Sequence, residues 1–313
     1  MIVILTKILI IFAMAGVGFA ANKLNLLPDE SNKYLISLLI NITSPCMLIT
    51  SIASKELTSA TFTATLQVLA GTALFFVLGM ILSYILVKAM KAPAEDQGVY
   101  MIILTTVNTG FMGFPITKAA FGSEGLYFMA ISNIVLNMYL YSLGIVQLNT
   151  GSGKFKGLAA TLKPMINPCA IAAVAGILML FSGLHLPSAL NEFLVMIGDV
   201  TIPLSMIVVG VQLGGSRIGQ IIRNRRLFLV SLFSLILWPL LTFLAVNWLP
   251  LETMTKLTLT YAASFPCAVI IVALAAQEGK NSQLAAEGVA LTTLLSMITL
   301  PIITMLLTAY FKI

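Results

Sequence analysis

The stretch "NTGFMGFPITKAAFG" (residues 108–122) sets Gly110, Gly113 and Pro115 close together inside an otherwise apolar segment. Glycine lowers helix propensity and proline removes a backbone donor, so a helix running through this segment is expected to break here. It should restart at Pro115, because a missing N–H costs nothing in a first helical turn. A second stretch, "AASFPCAVI" (residues 262–270), repeats the Phe-Pro pair at Phe265 and Pro266 and predicts a second break of the same kind.

Both breaks belong to a chain of 313 residues that is 59% hydrophobic and 9% charged, with a mean hydropathy of +1.04. So little polar residue cannot cover a soluble surface, and the bilayer is the solvent that fits. Stretches of about 20 apolar residues fall at 2–21, 34–54, 62–87, 99–121 and 126–148, then at 165–184, 190–213, 227–248, 255–276 and 284–310. The first is read as a helix rather than a signal peptide, since it is long enough to span and lacks a small-residue cleavage site. The fold class expected is all-α integral membrane with ten transmembrane helices. The polar break "NTGSGKFKGLAATLKP" divides it into a first half, 1–148, a cytoplasmic linker, 149–164, and a second half, 165–313.

With the N-terminus outside, the loops after the odd spans hold Lys23, Lys33, Lys88, Lys91, Lys154, Lys156, Lys163, Arg217, Arg223, Arg225, Arg226 and Lys280. These are twelve of the 17 basic residues, so the positive-inside rule places both termini outside the cytoplasmic membrane. The net charge of +6 thus reads as topology, and no nucleic-acid partner is expected. Cys46, Cys169 and Cys267 each follow a proline without a Cys or His at ligand spacing. They read as structural thiols, and neither a metal nor a cofactor is expected.

Laying residues 183–207 on residues 25–49 sets Pro203 on Pro45, Asp199 on Asn41 and Thr201 on Thr43. Span 2 therefore repeats as span 7, and the Phe-Pro pairs repeat span 4 as span 9. Units of five spans enter the membrane from opposite sides, which makes this an inverted-topology repeat. Freed N–H groups at the two breaks would carry positive dipole ends into the interior and bind a carboxylate. A small organic anion is accordingly the substrate expected.

The substrate-binding residues expected are Asn108, Thr109, Gly113, Pro115 and Lys118 at the first break and Ser264, Pro266 and Cys267 at the second, with Asn137. Lys118 either attracts the anion or snorkels outward. Asn133 and Asn137 share a helix face and either line a cavity or hydrogen-bond neighbouring helices. Asp199 is the one carboxylate well inside an expected span, where an ionised acid costs about 2.5–3.5 kcal/mol on insertion scales. It takes up a coupling proton, or binds sodium with Asn41, Thr43, Thr201 and Ser205, or bonds backbone freed by a break.

Asn108, Thr109, Met112, Gly113, Pro115, Lys118, Ala119 and Gly122 form a pattern that resembles the corresponding segment of the auxin efflux carrier family. The ten-span plan, the central break and Pro266 extend the resemblance over essentially the whole chain, which looks like a short bacterial-type member. The resemblance implies a fold related to the bile acid:sodium symporters, with a scaffold and a transport domain. It also implies broken helices crossing at Pro115 and Pro266, substrate held by Asn108 beside that crossing, and elevator-type alternating access. The chain departs from plant auxin carriers in its short central loop and in "SFPCAV" around Pro266. Microbial relatives imply a carboxylate such as malate or malonate, with an auxin-like acid as the other member of the class. The expected function is secondary active transport, the partners being a small organic anion, the lipid bilayer and a second copy in a homodimer. A substrate-sensing or channel-like membrane protein on the same fold is the alternative. An enzyme is not expected, because no Ser/His pair or second buried acid is placed for catalysis.

Overall fold

The computed structural model describes residues 2–151, 167–216, 221 and 224–312, and among them every regular element is helical. Most of the expected linker, with Lys154, Lys156 and Lys163, lies outside the described residues, as do Arg217 and Arg223. In chain order the helices are α1 (Ile2–Lys23), α2 (Ser31–Ala53), α3 (Ser59–Ala89), α4 (Gln97–Thr105), α5 (Phe114–Tyr139) and α6 (Pro168–Ser182). There follow α7 (Ser188–Gly215), α8 (Arg225–Asn247), α9 (Thr253–Ala263), α10 (Ile271–Gln277) and α11 (Ser282–Phe311). Among the described residues seven helical stretches are long and apolar enough to cross a bilayer. The chain is therefore a multi-pass integral membrane protein.

Local sequence sets the helix ends. Thr58, Asn167, Asn224 and Asn281 each accept the N–H three residues on with a side-chain oxygen, at 3.0–3.1 Å, and so cap α3, α6, α8 and α11. Gly183 closes α6 at φ 67°, the left-handed geometry that glycine adopts without strain. Gly122, at φ 68° and ψ −160°, breaks the helical path of α5 with a kink.

The polarity of the molecule is arranged for lipid. Leu178 and Phe181 on α6, Leu240 and Leu244 on α8, and Ile298 and Leu306 on α11 face outward. Polar side chains turn inward and pair. Gln147 donates to Ser83 at 2.8 Å and accepts from Thr105 at 2.9 Å and from Tyr139, while Thr72 donates to Ser132 at 3.2 Å. In a hydrocarbon solvent such groups find partners only inside the protein.

The helices sort into two packed groups. In one, α1 lies along α7, and α2 packs on α6 and α7. Small residues bring these backbones together: a Cβ at Gly210 would lie 2.0 Å from the Ala15 oxygen, and one at Gly198 2.9 Å from Met47 Cα. In the other, α3 packs on α4, α5 and α9, and α11 packs on α8 and α10. The groups meet where α5 touches α1, α2 and α7, and where α11 touches α1 and α7. Single π-turns interrupt the helical path at Leu39–Thr43, Thr109–Gly113, Leu140–Gly144 and Phe233–Leu237. Such turns often mark functional positions, and the first three converge on one cavity.

Candidate functional site

Helix α4 ends at Thr105, and Thr106 is extended at φ −90°, ψ 141°. The chain resumes through the π-turn Thr109–Gly113 into α5, with Pro115 in its first turn. Opposite, α9 ends at Ala263 and α10 begins only at Ile271. The second restart therefore comes beyond Pro266 rather than at it, because the intervening backbone is held from outside the helix. The Thr292 hydroxyl accepts the Cys267 N–H at 3.2 Å, and the Pro266 carbonyl accepts the Asn108 N–H at 2.7 Å. That last bond joins the two irregular segments, and Thr106 and Cys267 meet beside it at 3.3 Å.

Beside this junction is a cavity of about 160 Å³. Its polar lining comes from Asn108, Asn133, Asn137, Ser44, Tyr141 and Asn167, and no Asp or Glu is among the described residues that line it. Asn108 is 4% exposed, and its Oδ1 accepts the Phe111 N–H at 3.1 Å, capping the π-turn. Its Nδ2 is buried without a hydrogen-bond partner. A buried unpaired amide donor carries a desolvation penalty of about 1–3 kcal/mol that an acceptor entering the cavity would remove.

The other expected substrate residues divide. Thr109 accepts from Asn133 Nδ2 at 2.7 Å, and Asn137 donates to both oxygens of Asn133 at 2.9–3.0 Å, so the two asparagines form a ladder beside the junction. Gly113 admits the close packing: a Cβ there would lie 3.3 Å from the Thr109 Cβ and 3.4 Å from the Asn108 oxygen. Pro115 and Pro266 are buried at the two breaks, and Ser264 donates to its own helix at the Thr260 carbonyl, 2.8 Å away. Cys267 is fully buried, with its N–H taken by Thr292.

Lys118 does not line the cavity. It pairs with Asp199 at 2.7 Å, with the two side chains 29% and 57% exposed. The expected ion-coupling residues do not close around Asp199: Asn41 bonds Ser37 on its own helix, Thr43 bonds Leu39 and Ser205 bonds Ile202. Thr201 is buried without a partner. Sequence reasoning passed over Phe111, Ser44, Tyr141 and Asn167, which reach the site from three different helices. Only the three-residue step from Asn108 to Phe111 gave any local signal for them.

A second cavity of about 580 Å³ adjoins the first and is lined also by Asp29, Ser216 and Ser282. A bundle with inward polar groups, and two irregular segments joined by a backbone hydrogen bond beside a small cavity, fits the class of membrane transport proteins. The membrane transport protein family matches residues 3–304, and the chain belongs to that family, the family of the auxin efflux carriers. It is similar to an uncharacterized transporter of Methanocaldococcus jannaschii, 25% identical over 304 residues that cover 94% of this chain and 95% of that protein. It is also similar to an uncharacterized transporter of Methanothermobacter thermautotrophicus, 22% identical over 298 residues with the same coverage. The family and these relatives are transporters, not enzymes.

Proposed function

We propose that the protein is a ten-span secondary active transporter of a small organic anion, built from two inverted five-helix halves. The unpartnered Nδ2 of Asn108 beside the 160 Å³ cavity carries this reading. The volume is well under the roughly 300–1,000 Å³ of drug-sized sites, and it favours a small carboxylate such as malate or malonate over an auxin-like acid. A site with a neutral amide donor and no carboxylate among its described lining residues suits an anion that must bind and then leave.

The span count is supported by the lengths of the helical stretches. Residues Gln97–Leu148 make a 52-residue run, far longer than the roughly 20 residues one crossing needs, and the kink at Gly122 is where it would divide into two. Pro168–Ser182, and α9 with α10, supply the rest beyond the six other long helices. The first group of helices, α1, α2, α6 and α7, holds the first two spans of each half. This is the sorting an inverted repeat produces.

Elevator-type alternating access follows if the second group carries the cavity past the first. The Lys118–Asp199 pair, at 2.7 Å, joins α5 of the second group to α7 of the first and would have to part in that motion. The positive-inside bias places both termini outside the cytoplasmic membrane, with a proton or sodium as the coupling ion. The test is uptake of labelled dicarboxylates into liposomes under imposed pH, sodium and voltage gradients. Saturable uptake with counterflow is expected, and no movement of any organic anion under any gradient would overturn the assignment.

A further inference from the structure

The two interior cavities share one wall. Ile40, Phe111, Val269 and Ile270 line both the 160 Å³ cavity at the junction and the 580 Å³ cavity leading away from it. All four are half-buried, as residues with free volume on two sides must be. Ile40 comes from the π-turn of α2, Phe111 from the π-turn before α5, and Val269 and Ile270 from the non-helical segment before α10. Three irregular backbone segments thus meet at a shared apolar boundary, which we call the septum. The two sides differ in character: the smaller holds the asparagines, and the larger holds Asp29, Gln212, Ser216 and Ser282.

We propose that Phe111 is the door of this septum and sets the upper size of the acid the smaller cavity accepts. The proposal rests on the anion-transport reading above. Phe111 is the largest side chain of the four, and its backbone N–H is held by Asn108 Oδ1 at 3.1 Å. That bond places the ring beside the residue whose free amide would meet the ligand. A ligand arriving from the larger cavity would pass among these four side chains, of which the Phe111 ring is the bulkiest. An acid longer than the small cavity can be housed only if the ring's volume is added to it. The backbone bond does not depend on the side chain, so truncating the ring should open the wall while leaving Asn108 capped.

The experiment uses the full chain in liposomes with Phe111→Ala and Phe111→Leu, and acids of increasing size from malonate and malate to phenylacetate and indoleacetate. The Ala variant should raise kcat/KM for the aryl acids relative to malate by about tenfold or more, the scale at which pocket volume discriminates. The Leu variant should fall between. An unchanged ratio in a variant that still moves malate overturns the proposal. The second arm does not need transport. In a Cys46→Ser, Cys267→Ser background, the remaining Cys169 lines the small cavity, and its reaction with a bulky maleimide is timed against a small methanethiosulfonate. Faster maleimide labelling in Phe111→Ala supports the door, and equal rates in both backgrounds overturn it. If the wild type moves none of the acids, the transport reading fails while the labelling arm still decides the role of Phe111.

Discussion

Asn108 does two jobs that substitution can separate. Its Oδ1 caps the π-turn by accepting the Phe111 N–H at 3.1 Å, and its Nδ2 is the buried donor without a partner. Asn108→Ser keeps a capping oxygen and removes the amide nitrogen, whereas Asn108→Ala removes both. Both variants remove the buried unpaired donor, and loss of the cap costs about 1 kcal/mol more, so the Ala variant should melt below the Ser variant. Loss of a hydrogen bond to a charged group costs about 1.5–3 kcal/mol. At about 1.4 kcal/mol per decade, that is roughly a 10- to 150-fold fall in kcat/KM for both variants. The assay is initial-rate uptake of labelled malate into liposomes, with melting followed through Trp238 and Trp248 in the same preparations. If Asn108→Ser transports like the wild type, the free amide is not the ligand contact. If uptake falls only in step with melting temperature, the residue is structural.

Neutralising Lys118 or Asp199 singly strands a charge, while Lys118→Met with Asp199→Asn removes the pair. Because both side chains are partly exposed, a coupling of only about 0.2–1 kcal/mol is expected in the stability cycle. Zero coupling, with uptake rates unchanged in all three variants, would remove the pair from the working cycle. Gly210→Ala should destabilise by about 1–3 kcal/mol, since its Cβ would lie 2.0 Å from the Ala15 oxygen; an unchanged melting temperature in detergent would contradict the contact of α1 with α7. Gly122→Ala has open space around it but sits at φ 68°, ψ −160°. A strain cost of about 1–3 kcal/mol is expected, and the control Gly16→Ala, with nothing within 4 Å of its Cβ, should lose nothing. Equal melting temperatures for the two would show that residue 122 relaxes into an ordinary turn.

Much of the architecture was legible because bilayer length and hydropathy act on short windows of sequence. Most of the apolar runs gave helices close to their observed ends, the run 165–184 for example covering α6 at Pro168–Ser182. The glycines and Pro115 marked the first interruption. The second was placed less well: Pro266 was legible, but the delay of α10 to Ile271 depends on Thr292 and Asn108, which lie far away in the chain. Lys118 and Asp199 show the same boundary. Each was legible as a charge out of place, and each was assigned a separate role. Their 2.7 Å contact joins residues 81 positions apart, a separation that local patterns cannot span.

The sequence by itself determined the solvent of this protein, its helical character and its first candidate residue, Asn108. Composition, periodicity and proline chemistry are properties of neighbouring residues. Only the tertiary structure decided which polar atoms are left without partners, which side chains wall the cavity, and which N–H groups are already taken. Those depend on distances between helices from different parts of the chain, set by the close packing that small residues allow. The free donor on Asn108 and the shared wall at Phe111 became visible only once the irregular segments before α5 and α10 were brought together.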